Sequence, residues 1–113
     1  MKLESDAVEY IVIEVPDMND SVSRIVLSGK VYLIRFTYND TMDYWKFSLY
    51  NAQNDPIVVG VKIVPRFPLN VFYGVTKLPD GVFGVMTKLE RIGRNDFANK
   101  NAEFVFCPVT ISE

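Results

Sequence analysis

The side chains that could do chemistry in this chain are carboxylates, one thiol and a set of aromatic rings. The 113 residues include one Cys and no His. Histidine is the commonest general base at neutral pH. Because the chain has none, neither a Ser-His-Asp nor a Cys-His arrangement can form. The sequence also contains no phosphate-binding loop of the GxGxxG or GxxxxGK[ST] type. We therefore expect no catalytic residues, no cofactor and no metal ion.

Two pairs of carboxylates are candidates for chemistry, since paired carboxylates can act as acid and base or bind a cation. Asp17 and Asp20 lie in one polar segment, and Asp40 and Asp43 lie in another. Asp also forms turns through hydrogen bonds between its side chain and the backbone. Segment 17–20 lacks the Gly and the closing Glu of a calcium loop. We interpret both pairs as turn residues.

Two further residues have a structural interpretation. Cys107 alternates with Phe106 just before Pro108, which is typical of a buried, unreactive thiol. Trp45 alternates with polar neighbours and shares its face with Phe47, which favours packing in the core over an exposed position.

The elements that must position these residues are strands, because hydrophobic residues recur with a period of two and no segment has a helical stripe. The predicted strands are residues 10–15, 21–28, 31–38, 44–50, 57–64, 71–77, 82–89 and 104–107. Turn-forming residues at 28–30, 39–43 and 78–81 predict antiparallel neighbours, and residues 51–56 are a further cluster of turn formers. Residues 57–64 are nearly all apolar, which predicts a central strand or one buried on both faces.

This pattern predicts an all-β fold: a single small β-sandwich or barrel-like domain of mostly antiparallel strands joined by hairpins. The predicted domain covers residues 1–113, with residues 1–6 as a loose arm. The sequence does not distinguish a sandwich from a barrel.

Six residues are candidates for contact with a partner: Tyr44, Tyr50, Arg66, Phe67, Arg94 and Phe97. The two tyrosines lie on the strand face opposite the tryptophan, where a hydroxyl could meet either water or a partner. Arg66 and Phe67 lie between prolines in a rigid loop that either projects toward a partner or only turns the chain. Phe97 lies with Arg94 in the polar loop 91–101, where the ring either tucks under the loop or docks on a neighbour.

Charge and hydropathy exclude some partners. The net charge is −2 with a pI of about 5.1, and the 12 Lys and Arg residues are scattered. A nucleic-acid partner would require clustered cations, so we expect none. No apolar run is long enough for a membrane span, and the first residues lack the apolar stretch of a signal peptide. We expect a soluble protein made in a cytoplasm.

Residues 22–69 resemble the small baseplate plug proteins of contractile-tailed bacteriophages. The resemblance is carried by a strand, a Gly turn, a strand ending in Tyr-Asn, a Trp-centred strand, an Asp-containing turn, an apolar strand with one Gly, and an exit containing Pro. The corresponding residues are Gly29, Tyr38, Asn39, Trp45, Asp55, Gly60 and Pro65. Looser similarity continues through Gly81, Arg94, Asp96 and the strand at 104–106.

The resemblance implies a non-enzymatic structural component of the virion, located in the tail baseplate and made in the host cytoplasm. Such plugs lie in the central hub near the tail tube and the tape measure protein, so these tail proteins are the expected partners. We also expect several copies, packed together. One alternative is a small binding module, for example for carbohydrate, with Trp45 and Tyr44 or Tyr50 on an open face. An enzyme would need a carboxylate-only or metal-dependent mechanism.

Overall fold

Two antiparallel β-sheets form the regular structure of the chain in the computed structural model, which describes residues 10–66, 69 and 81–108. Their strands are β1 (Ile11–Ile13), β2 (Asp20–Leu27), β3 (Lys30–Asn39), β4 (Tyr44–Asn51), β5 (Pro56–Lys62), β6 (Gly81–Thr87) and β7 (Ala102–Pro108). One sheet has the order β2-β3-β4-β5 and the other β1-β7-β6. The all-β prediction is confirmed. No helix that could cross a lipid bilayer occurs within these described ranges.

Short turns join β2 through β5 into a meander, of which the sequence predicts the first three strands. Ser28 and Gly29 have φ angles of 51° and 81°. Two successive positive φ values form a type I′ turn, whose twist matches that of the flanking strands. In the next loop the Asn39 side chain accepts hydrogen bonds from the backbone N–H groups of Thr41 and Met42, at 3.0 and 2.9 Å. That side-chain bridge is the usual way in which Asn stabilises a turn.

The core lies between the two sheets, which makes the fold a sandwich. Rings from both sheets meet there: the Phe104 centroid lies 5.2 Å from that of Phe36 and 5.0 Å from that of Phe47. Phe83 packs against Phe47 at 5.3 Å. Offset and edge-to-face contacts of this kind add to the stabilisation from burial. Trp45 is 1% exposed and packs in the same core, as its alternation with polar neighbours predicts.

The prediction that residues 57–64 form a central strand or one buried on both faces was wrong. β5 pairs only with β4 among the described strands and so ends its sheet, and Val59 is 65% exposed. Gly60 has a φ of 67°, and the pairing with β4 shifts register nearby. This bulge breaks the alternation, and an apolar run by itself does not reveal how many neighbours a strand has.

Beyond Pro65 the chain passes from the four-stranded sheet to β6. The Val85 N–H donates to the carbonyl of Arg66, and the Leu69 N–H donates to the carbonyl of Phe83, both at 2.8 Å. The arm at 1–6 and the strand at 71–77 with its turn at 78–81 are predictions that lie wholly or largely outside the described residues.

Candidate functional site

The outer face of the four-stranded sheet brings several of the predicted contact residues together. Side chains that point away from the core alternate with the buried ones along each strand. We name this surface the basic face. Its residues are Asp20, Val22, Arg24 and Val26 of β2; Val31, Leu33, Arg35 and Thr37 of β3; Tyr44, Lys46, Ser48 and Tyr50 of β4; and Val59 and Lys62 of β5.

One ion pair on the basic face joins β2 to β3. The Arg35 guanidinium donates to both carboxylate oxygens of Asp20, at 2.9 and 2.6 Å. These hydrogen bonds lower the pKa of Asp20 and raise the pKa of Arg35, because each partner stabilises the charged form of the other. Tyr50 is a further, smaller cause of the raised pKa of Arg35. Arg35 is therefore held in place and largely neutralised.

Two lysines face each other on the neighbouring strands. Lys46 of β4 lies directly opposite Lys62 of β5. Like charges at opposite positions of an antiparallel pair are unfavourable. The Lys62 ammonium lies 4.9 Å from the centroid of the Tyr44 ring, which gives it a cation–π contact. In the part of the chain that the structure describes, neither ammonium has a carboxylate within 4.0 Å.

The β5 bulge forms a shallow concavity in the basic face. The Gly60 N–H donates to the Ser48 hydroxyl at 2.9 Å, which fixes the bulge to β4. The concavity has a volume of about 450 Å³ and is lined in part by Arg35, Lys46 and Tyr50. It therefore presents cations and a phenol hydroxyl beside the exposed side chain of Val59.

The loop that carries Arg94 closes one end of the sandwich. The Arg94 guanidinium donates to the Asn19 side chain at 2.7 Å and to Asp17 at 2.8 Å. It also lies 5.3 Å from the centroid of the Trp45 ring. These contacts are all within the chain, so Arg94 holds the loop 91–101 against the sheet.

Phe97 tucks under the loop instead of facing a neighbour. Its ring is 7% exposed and lies 6.0 Å from that of Trp45. The Trp45 indole N–H donates to the Gly93 carbonyl at 3.3 Å, which anchors the same loop. Because Phe97 is buried within the chain, its ring is not available for contact with a partner.

Sequence analysis did not predict the cluster formed by Tyr38, Asp43 and Arg91. The Asp43 carboxylate accepts hydrogen bonds from the Tyr38 hydroxyl and the Arg91 guanidinium. The Tyr38 hydroxyl is the main cause of the lowered pKa of Asp43, followed by Arg91, and Asp43 raises the pKa of Tyr38. Arg91 lies 48 residues from Asp43 in the sequence, so no local signal could have paired them.

The interpretation of the aspartate pairs as turn residues is therefore incomplete. Asp17, Asp20 and Asp43 each bind one arginine. Asp20 begins β2 and so lies in a strand. The described ranges contain no group of three or more His, Cys, Asp or Glu residues that could hold a metal ion.

The remaining predicted residues lie elsewhere. Arg66 is exposed, and Phe67 lies outside the described residues. Cys107 is half-buried on the outer side of β7, so the prediction of a buried thiol was wrong. Alternation along β7 points Phe106 into the core and hence turns its neighbour outward.

Comparison with known proteins gives a match to a family model. No curated protein matches the chain. A family model described as "Cyanophage baseplate Pam3 plug gp18" matches residues 8–108. The matched segment includes all seven described strands and the basic face. The chain therefore belongs to the baseplate plug family of phage tail proteins, whose role is structural.

Proposed function

We propose that the chain is a non-enzymatic plug packed in several copies in the central hub of a phage tail baseplate, beside the tail tube and the tape measure protein. The match of the family model over residues 8–108 carries this proposal. A plug acts through its shape, so it requires a rigid body with contact surfaces instead of a reactive site. Its partners are the neighbouring tail proteins.

The packing of the sandwich supports a rigid body. Rings of both sheets interlock through Phe36, Phe47, Phe83 and Phe104, which are fully buried. Ion pairs between distant segments then fix the loops, as Arg94 does with Asp17 and Arg91 with Asp43. A close-packed core of this kind deforms little under load, which suits a component that seals a channel.

The proposal is tested by locating the chain in purified virions. We expect mass spectrometry of gradient-purified particles to detect it in a fixed ratio to the tail proteins. Cryo-electron microscopy should show its density on the tail axis within the baseplate hub. Particles made without the gene serve as the control and should lack that density. Recovery of the chain only from the soluble lysate, or at the baseplate periphery, would contradict the proposal.

The alternative of a carbohydrate-binding module receives no support from the aromatic residues. Such a module would need an open platform of rings. The Trp45 ring is buried in the core, on the face of β4 opposite to Tyr44 and Tyr50. We therefore do not propose glycan binding.

A further inference from the structure

We infer that the basic face is a docking surface for an acidic, partly aliphatic surface of a neighbouring tail protein. This inference rests on the proposed function and names the chemistry of one of its contacts. The contact surface is a sheet face that carries Tyr44 and Tyr50 with Arg24, Lys46 and Lys62.

Charge is the first observation behind the inference. The whole chain has a net charge of −2, yet the basic face carries four cations and one carboxylate. Asp20, the one carboxylate, is bound by Arg35. Arg24, Lys46 and Lys62 have no carboxylate partner among the residues described. An acidic partner would supply the missing counter-charges, and complementary charges of this kind set the specificity of an interface.

The facing lysines are the second observation. Lys46 and Lys62 repel each other across the β4–β5 pair, so the arrangement costs stability in the free chain. A carboxylate placed in the adjacent concavity, between Lys46 and the Tyr50 hydroxyl, would relieve that repulsion. The concavity thus fits an Asp or Glu side chain of a partner.

Exposed aliphatic side chains are the third observation. Val22, Val26 and Val59 are 61%, 59% and 65% exposed, and all three lie on the basic face. Exposed apolar side chains grouped on one face mark interaction sites, and tyrosine is enriched in protein interfaces. A nucleic acid would instead favour a continuous row of cations along its phosphates. The mixture of valines and separated cations therefore favours a protein partner.

A second copy in a symmetric dimer is disfavoured. A two-fold contact places the same patch on both partners. Two basic faces, each with four cations and one carboxylate, would then meet, so like charges would outnumber opposite charges across the contact. Such like-charge contact opposes association.

The test compares two charge-reversed variants in virions. Lys46→Glu/Lys62→Glu changes the basic face, whereas Lys88→Glu/Lys100→Glu makes the same change in charge at exposed positions outside it. Each variant is supplied to a phage that lacks the gene, and copies per particle are counted by mass spectrometry. We expect the first variant to be incorporated at least about tenfold less than the wild type, and the control within about twofold.

Thermal unfolding of the purified variants and of the wild type shows whether each variant is folded, so that loss from virions is not caused by unfolding. If Lys46→Glu/Lys62→Glu fails to fold, Arg24→Glu replaces it, since Arg24 is exposed near the other edge of the sheet. Normal incorporation of a folded basic-face variant overturns the inference, as does equal loss of the control. Dimerisation of the wild type through this face, or its binding to a DNA duplex lost in the variant, also overturns it. Absence of the wild type from virions is a different result and refutes the proposed function itself.

Discussion

Three arginines connect segments of the chain that lie far apart in the sequence. Arg35, Arg91 and Arg94 each bind an aspartate, and the separations are 15, 48 and 77 residues. The Arg94 guanidinium also lies 5.3 Å from the centroid of the Trp45 ring, within the range of a cation–π contact. Asp17, Asp20 and Asp43, which could have been candidates for acid–base chemistry, therefore hold loops and strand ends in place through ion pairs.

Acid should weaken the chain through two of these carboxylates. The folded state lowers the pKa of Asp20 and Asp43, so their contribution is present above the ordinary pKa of Asp, about 3.9, and is lost as pH falls through the folded-state pKa. We expect the free energy of unfolding of the wild type to fall between pH 6 and pH 2.5. The fall should be smaller in Asp20→Asn/Asp43→Asn. Urea titrations at both pH values measure this difference.

Asp40→Asn is the control for the acid experiment. Asp40 lies in the same loop as Asp43 and is exposed. Asp40 forms no ion pair with a described residue, so its substitution should reduce the fall in stability less than the double substitution does. A double variant whose stability falls with acid as steeply as that of the wild type would count against the ion-pair explanation.

At the scale of elements, strands and turns were predictable because they depend on residues near each other in the sequence. The type I′ turn at Ser28 and Gly29 and the alternation around Trp45 are local signals. The edge position of β5 and the burial of Phe97 depend on which segments lie alongside, so alternation could not determine them. The basic face could be predicted only in part. Alternation along β4 placed Tyr44 and Tyr50 on the face opposite Trp45. That Lys46 lies opposite Lys62 could be seen only from the pairing of β4 with β5.

The loop 91–101 depends on Asp96 for its shape. The Asp96 carboxylate accepts from the Gly93 N–H at 2.6 Å and from the Asn101 side chain at 3.2 Å. We expect Asp96→Ala to lower the free energy of unfolding by about 1–2 kcal/mol, since hydrogen bonds to a charged group are lost. Trp45 fluorescence should shift to the red, because Gly93 and Phe97 contact the indole.

Asn95→Ala is the matched control for this loop substitution. Asn95 is the exposed neighbour of Asp96. Chemical denaturation should give this variant a stability within about 0.5 kcal/mol of the wild type. Equal effects of the two substitutions would refute the role given to Asp96.

At the scale of the whole molecule, Phe104 joins the two sheets. It contacts Phe36 and Phe47 of one sheet and Phe83 of its own. We expect Phe104→Ala to lower the free energy of unfolding by about 3–5 kcal/mol, because it removes buried contacts and leaves a cavity. That loss is a large fraction of the 5–15 kcal/mol typical of a domain.

Val22→Ala is the comparison for Phe104→Ala, since Val22 is exposed on the basic face. Its unfolding free energy, measured in the same urea titration, should differ from the wild type by less than about 0.5 kcal/mol. If Phe104→Ala were equally mild, the packing between the sheets would not be the main source of stability.

The pairing of β1 with β7 has a consequence for synthesis. Ile11 lies opposite Phe106, whereas β2, β3 and β4 each pair with the next strand along the chain. The meander can therefore form as soon as it leaves the ribosome, but β1 must wait for a partner translated much later. During that interval the rings of Phe36 and Phe47 have no opposing layer and are open to chaperones and to aggregation.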